Sequence, residues 1–188
     1  MDRFNDVLRT ASEKLASAYV AYFDIKRDYR LGQTGQAKQI VVPVFGEFHA
    51  RKEKYVLMKK AIIGVSEGSE YLFILSFERI DEQAFQAIVD IAKVAERELV
   101  KPHGEHMYSY ISMVVLCGSI DESVARKVKK FSQYKMYRFW FHGYSVANVV
   151  AVVLDSDNVG GGKVNIRSVV SNRDGKSLKN NVCDILSK

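Results

Sequence analysis

"EYLFILSFERIDEQAFQAIVDIAKVAERELVKPHGEHMYSYISMVVLCG", residues 70–118, carries a strand, a helix and a second strand in direct succession. Its opening "EYLFILSFE" is an unbroken run of aromatic and aliphatic residues, the pattern of a buried strand. At Asp81 the period changes. Phe85, Ile88, Ala92, Ala95 and Leu99 recur in steps of three and four, which predicts a helix from Asp81 to Val100 with one apolar face. Asp81 is a favourable N-cap, Glu82 complements the helix dipole and Pro102 marks the stop. "YSYISMVVLCG" (108–118) then returns to strand.

Upstream, Phe4, Val7, Leu8, Ala11, Leu15, Ala18, Tyr19 and Tyr22 form one helical stripe between Arg3 and about Phe23. "GQTGQAKQ" (32–39) reads as a loop. Three strands are expected before residue 80: Ile40–Ala50, Lys54–Val65 and Glu70–Glu78. Pro43 and Gly46 suggest an edge or a bulge in the first, and "SEGS" (66–69) suggests a hairpin turn between the last two. Downstream, "SIDE" (119–122) has capping-box spacing and opens a third helix reaching Tyr134 or Tyr137. "SVANVVAVVLD" is a strand, "DSDNVGGG" a turn, "KVNIRSVVS" its hairpin partner and "NRDG" another turn. Residues 175–188 read as a short docking or flexible tail, with Val182, Ile185 and Leu186 available to dock it. The expectation is one α+β domain over residues 1–188. Its mixed β-sheet has helices on its faces, in the order helix, three strands, helix, strand, helix, two strands.

The net charge of +6 is unevenly placed. Residues 1–120 carry 16 cationic and 16 acidic side chains, whereas residues 121–188 carry 12 and 6. The excess in the last third points to an anionic partner or a solvated surface. The amino-terminal stretch lacks the apolar centre of a secretory signal, and no apolar run is long enough to span a bilayer. The cytoplasm is therefore expected, with no membrane partner, and Cys117 and Cys183 read as reduced thiols.

Motifs for chemistry are sparse. His103 and His106 in "PHGEHM" are candidates for a metal site, a polar helix end being the better reading. "VGGGKV" departs from a phosphate loop at two positions. No nucleophile triad is nominated, Cys117 lies in an apolar strand, and no cofactor is implied. An enzyme, such as a divalent-metal hydrolase with an atypical site, would have to draw on Glu47, His49, Lys59 and Glu70 of neighbouring strands.

The segment "KKFSQYKMYRFWFHGY" (129–144) suggests a binding surface. On a helical wheel, Val124, Val128 and Phe131 share one side, and Arg126, Lys129, Lys130, Gln133 and Tyr137 the other. If "YRFWFHGY" is a strand, Tyr137, Phe139 and Phe141 face the core while Arg138, Trp140 and His142 face out. Arg126, Lys129, Lys130, Arg138, Trp140 and His142 then form a basic, aromatic face for nucleic acid or another polyanion. The alternative is a homodimer or scaffold built on the aromatic strand.

Two resemblances bear on these readings. The order helix, three strands, helix, strand over residues 1–118 resembles the core of restriction-endonuclease-like nucleases. "KYVLMKKAIIGV" offers no acid, and "EYLFILSFE" no acid-x-Lys pair, so the resemblance implies a core that does not cut. "KYVLMKKAII" (54–63), "LVKPHGEHMYSYISMVVL" (99–116) and the "NRDGK" turn resemble a family of small bacterial proteins with a domain of unknown function, over roughly residues 4–178. That resemblance implies a cytoplasmic bacterial protein, assigns no residue roles and does not favour an enzyme.

Overall fold

The computed structural model describes residues 2–32, 39–56, 61–139, 141–155 and 164–188, with backbone alone for 2–3, 53–56 and 61–65. In chain order the elements are α1 (Asp2–Tyr19), β1 (Asp24–Leu31), β2 (Ile40–Val56), β3 (Ala61–Ile80), α2 (Glu82–Leu99), β4 (His106–Ile120), α3 (Glu122–Lys130), β5 (Tyr134–Met136), β6 (Tyr144–Leu154), β7 (Ile166–Ser171) and α4 (Lys176–Ser187).

The sheet is mixed. β1, β2 and β3 are antiparallel, β3 pairs parallel to β4, and β4 pairs parallel to β6. Helices α2 and α3 are the crossovers that parallel pairing requires. The far edge of β6 pairs with β5 at residues 144–146 and with β7 at residues 150–154. Because side chains alternate along a strand, the sheet serves two cores. Phe45, Phe73, Met113 and Val149 face α2 and α3, where Ile88, Ala92, Val124 and Val128 are buried. Leu72, Ile74, Val114 and Val150 face α1 and α4, where Leu8, Leu15, Val182 and Leu186 are buried. Each such large aliphatic side chain contributes about 1.5–3 kcal/mol when fully buried.

The reading of α2 is met in detail. Asp81 caps the helix, its carboxylate accepting from the backbone N–H of Ala84 at 2.8 Å. The "NRDG" turn (172–175) also lies where expected, between β7 and α4. The tail that follows it is the helix α4, docked through Val182 and Leu186.

Several expectations are corrected. α1 ends at Tyr19, and Tyr22 beyond it is exposed. The strand β1 is not among those expected. The "SEGS" stretch is no turn: residues 66–69 lie inside β3 and pair with residues 49–52 of β2. The β2–β3 pairing instead runs on to Val56 opposite Ala61; residues 57–60 lie outside the described residues, as do 33–38 and 156–163 of the expected loops. Pro43 is not on an edge strand. It stands opposite Asp28, whose φ of 48° interrupts the β1 ladder there, so no N–H is needed from Pro43. Ser119 belongs to β4 and is no cap. Asp121 takes the N-cap position of α3 without a side-chain cap, its carboxylate accepting from Arg79 Nε at 2.9 Å.

The largest correction concerns residues 131–144. α3 stops at Lys130, and β5 holds only three residues. A hairpin turn then follows Tyr137, closed by Tyr137 N–H to the Gly143 carbonyl and His142 N–H to the Tyr137 carbonyl. Arg138 and Phe139 adopt φ of 45° and 49°, which destroys the two-residue alternation of a strand. Phe139 and Phe141, expected in the core, are 92% and 81% exposed. Tyr137 alone of the three rings packs against the core.

Candidate functional site

The cationic residues nominated from the sequence are placed as follows. Arg126, Lys129 and Lys130 lie on the outer side of α3, with Val124 and Val128 buried beneath. Arg126 pairs with Glu122 at 2.6 Å, and its neighbour Lys127 pairs with Glu82 at 2.6 Å. Arg138 is exposed in the hairpin turn. His142 is half-buried, and its carbonyl accepts a hydrogen bond from His106 Nδ1 at 2.6 Å. Trp140 lies outside the described residues. The outward strand face expected to unite Arg138, Trp140 and His142 is therefore not formed.

The histidine pair is likewise divided. His106 is buried, with Nδ1 donating to the His142 carbonyl and Nε2 accepting from Ser109 Oγ at 2.9 Å, so neither ring nitrogen is left for a metal. His103 faces Glu67 at 3.1 Å. Glu47 and His49 point to the α2 side of the sheet, beside Tyr71 and Ser69, whereas Glu70 points to the α1 side with Phe48. Lys59 lies outside the described residues. The strand acids thus do not converge.

What the fold does assemble is a cleft of about 1230 Å³ on the α1 and α4 side of the sheet. Its floor is set by register. Phe48, Glu70, Tyr110 and Val146 stand side by side across β2, β3, β4 and β6, with Tyr134 of β5 beyond. The next row holds Leu72, Ser112 and Asn148. The end of α1 supplies Tyr19 to one wall, and α4 supplies Asn181 and Asp184 to the other. The cleft lies toward the N-terminal ends of the parallel strands, not at the carboxyl ends where open α/β sheets commonly hold ligands.

The rings of the floor are in mutual contact. Tyr110 and Tyr144 share a hydroxyl hydrogen bond at 3.2 Å, and Tyr134 stacks on Tyr144 with ring centroids 5.6 Å apart. Burial raises the pKa of Glu70, because a half-desolvated carboxylate is disfavoured. Burial, with the charge of Glu70 added, pushes the Tyr19 phenol to about 12. Two residues that line this cleft each carry a polar atom, Tyr19 Oη and Asn148 Oδ1, that is buried without a hydrogen-bond partner. Such an atom costs about 1–3 kcal/mol unless something supplies the missing bond.

Of these residues the sequence nominates only Glu70, and for a different chemistry. A usable signal is the Tyr108-x-Tyr110 spacing in β4, which puts two phenols on one sheet face. Tyr144 and Asn148 are brought in by register, and Tyr19 by the packing of α1 on the sheet.

Among the described residues, no helix is long and apolar enough to cross a membrane. No curated protein and no solved structure matches the chain. A family model described as "Domain of unknown function (DUF8052)" matches residues 9–182, from α1 through most of α4. The chain belongs to this family, the domain of unknown function DUF8052.

Proposed function

We propose that this domain is a non-catalytic binding module of the cytoplasm, and that the tyrosine-lined cleft holds its ligand. The observation that carries the reading is the pair of buried, unpartnered atoms, Tyr19 Oη and Asn148 Oδ1, in two residues of the cleft lining. A concave site of hydrophobic and aromatic side chains with a few polar groups is the usual form of a small-molecule site. Two facts favour binding over chemistry. The Cys117 thiol is pushed up to about 12 by burial and donates to the Val152 carbonyl, so it is a poor nucleophile. Glu70 shares its sheet face with neither Glu47 nor His49. Both cysteines are free, in keeping with a reducing compartment.

The test is a ligand-observed NMR screen with a fragment set of cationic, neutral and anionic members. Asn181 is exposed on the α4 wall, so Asn181→Trp fills the cleft without disturbing the core. Hits that bind the wild type and are lost in the variant support the reading. No hits, or hits indifferent to the variant, contradict it.

A second reading keeps nucleic acid or another polyanion as partner. It is favoured by the exposure of Phe139 and Phe141 beside Arg138, since rings next to a cation can stack on bases. Lys129 and Lys130 would extend the positive field. A salt-sensitive gel shift with single-stranded DNA, weakened in Phe139→Ser/Phe141→Ser and in Lys129→Glu/Lys130→Glu, would support it. Unchanged mobility would remove it, and a ring-dependent dimer in light scattering would favour self-assembly instead.

A further inference from the structure

The chemistry of the cleft narrows what it can hold, and this inference rests on the reading of the cleft as a ligand site. Carboxylates stand on both sides of it: Glu70 on β3, and Asp174 and Asp184 at α4. Lys188 is the one cationic side chain among the described lining residues. The two unpartnered atoms are also divided. Tyr19 keeps only 8% of its surface exposed, and its hydroxyl feels the charge of Glu70, so it belongs to the β3 end. Asn148 lies on β6, two strands away, or roughly 10 Å. An amide oxygen accepts only, so its missing partner is a donor. Between the two ends lies Tyr110, with Tyr144 hydrogen-bonded to it, and the faces of such rings attract cations while their edges pack alkyl chains.

We propose that the cleft takes an elongated organic dication, a linear diamine or polyamine. One ammonium group pairs with Glu70 at the Tyr19 end, the other pairs with the α4 carboxylates at the Asn148 end, and the alkyl chain lies on Tyr110. Burial holds the Glu70 carboxylate against ionisation, and a cation beside it reverses that penalty. A bare metal ion fits less well: among the described residues, no three His, Cys, Asp or Glu side chains gather into a metal site.

The experiment is calorimetric titration of the full chain with 1,8-diaminooctane, octan-1-amine, octane-1,8-diol and octanedioate. The diamine is expected to bind at least about tenfold more tightly than each of the others, a difference of about 1.4 kcal/mol. Glu70→Gln and Asp184→Asn should each remove most of that advantage. Asp184 is exposed on α4, so its variant tests the charge even if Glu70→Gln folds poorly. If octan-1-amine binds equally well, the second pole is wrong. If the diol or octanedioate binds equally well, or the diamine ignores both variants, the dication is wrong while fragment hits in the cleft leave the ligand-site reading standing. If neither the diamine nor any fragment binds, both fail together.

Discussion

Tyr108 lays its ring over Gly68 of the neighbouring parallel strand, in the space that a side chain at position 68 would fill. The same ring lies with its centroid 4.9 Å from that of Tyr110, so a glycine inside β3 sets the position of the phenols on the cleft floor. Gly68→Ala should displace Tyr108 and cost about 1–3 kcal/mol, the usual range for overpacking. Urea unfolding measures this. A change within about 0.5 kcal/mol, the range of an ordinary surface substitution, would mean that the ring moves aside freely.

Asn172 ties the α4 wall to the sheet. Its Nδ2 donates to the Ala147 and Phe131 carbonyls at 2.9 and 3.3 Å, and its Oδ1 accepts from the Val149 and Gly175 N–H groups at 3.0 Å each. Asn172→Ala strands these buried groups and should cost at least about 2 kcal/mol. Asn172→Asp should also destabilise, because a carboxylate cannot donate to the two carbonyls. Hydrogen exchange should show α4 opening first; uniform protection would contradict this.

Glu70 makes stability depend on pH in a definite direction. Its folded pKa lies above the ordinary 4.5 because burial disfavours the carboxylate. The folded state therefore holds the proton more tightly than the unfolded state. The resulting stability is fully present below pH 4.5 and is lost as pH rises through the raised value. Relative to wild type, Glu70→Gln should gain stability as the pH rises from about 4 to about 7. Parallel urea profiles across that range would contradict the burial argument.

Gly143 closes the hairpin with φ of 68°, and a Cβ there would meet the Met107 backbone. Gly143→Ala should cost about 1–3 kcal/mol through strain and collision. Thermal unfolding checks this, and an unchanged midpoint would show that the turn can relax.

Legibility followed locality. The Asp81 cap and the three–four spacing of α2 are local, and the structure keeps both. β1 escapes a sequence reading because "DIKRDYRL" turns few apolar residues inward and is interrupted at Asp28. The alternation of Tyr137, Phe139 and Phe141 misleads because two left-handed residues re-aim the chain, which ring spacing does not encode. Gly68 in "SEGS" reads as a turn glycine, yet it makes room for the Tyr108 ring from the next strand of the sheet. The cleft is least legible, because Tyr19, Glu70, Tyr110 and Asn148 come from four elements and meet only through sheet register and the packing of α1 on the sheet.

The most direct test of the cleft as a diamine site is NMR of ring-labelled tyrosines during titration with 1,8-diaminooctane. The account predicts shifts at Tyr19, Tyr110 and Tyr144, while Tyr29 and Tyr71 on the opposite sheet face stay unchanged. Shifts at Tyr29 and Tyr71 instead, or no shift in any ring, would contradict it.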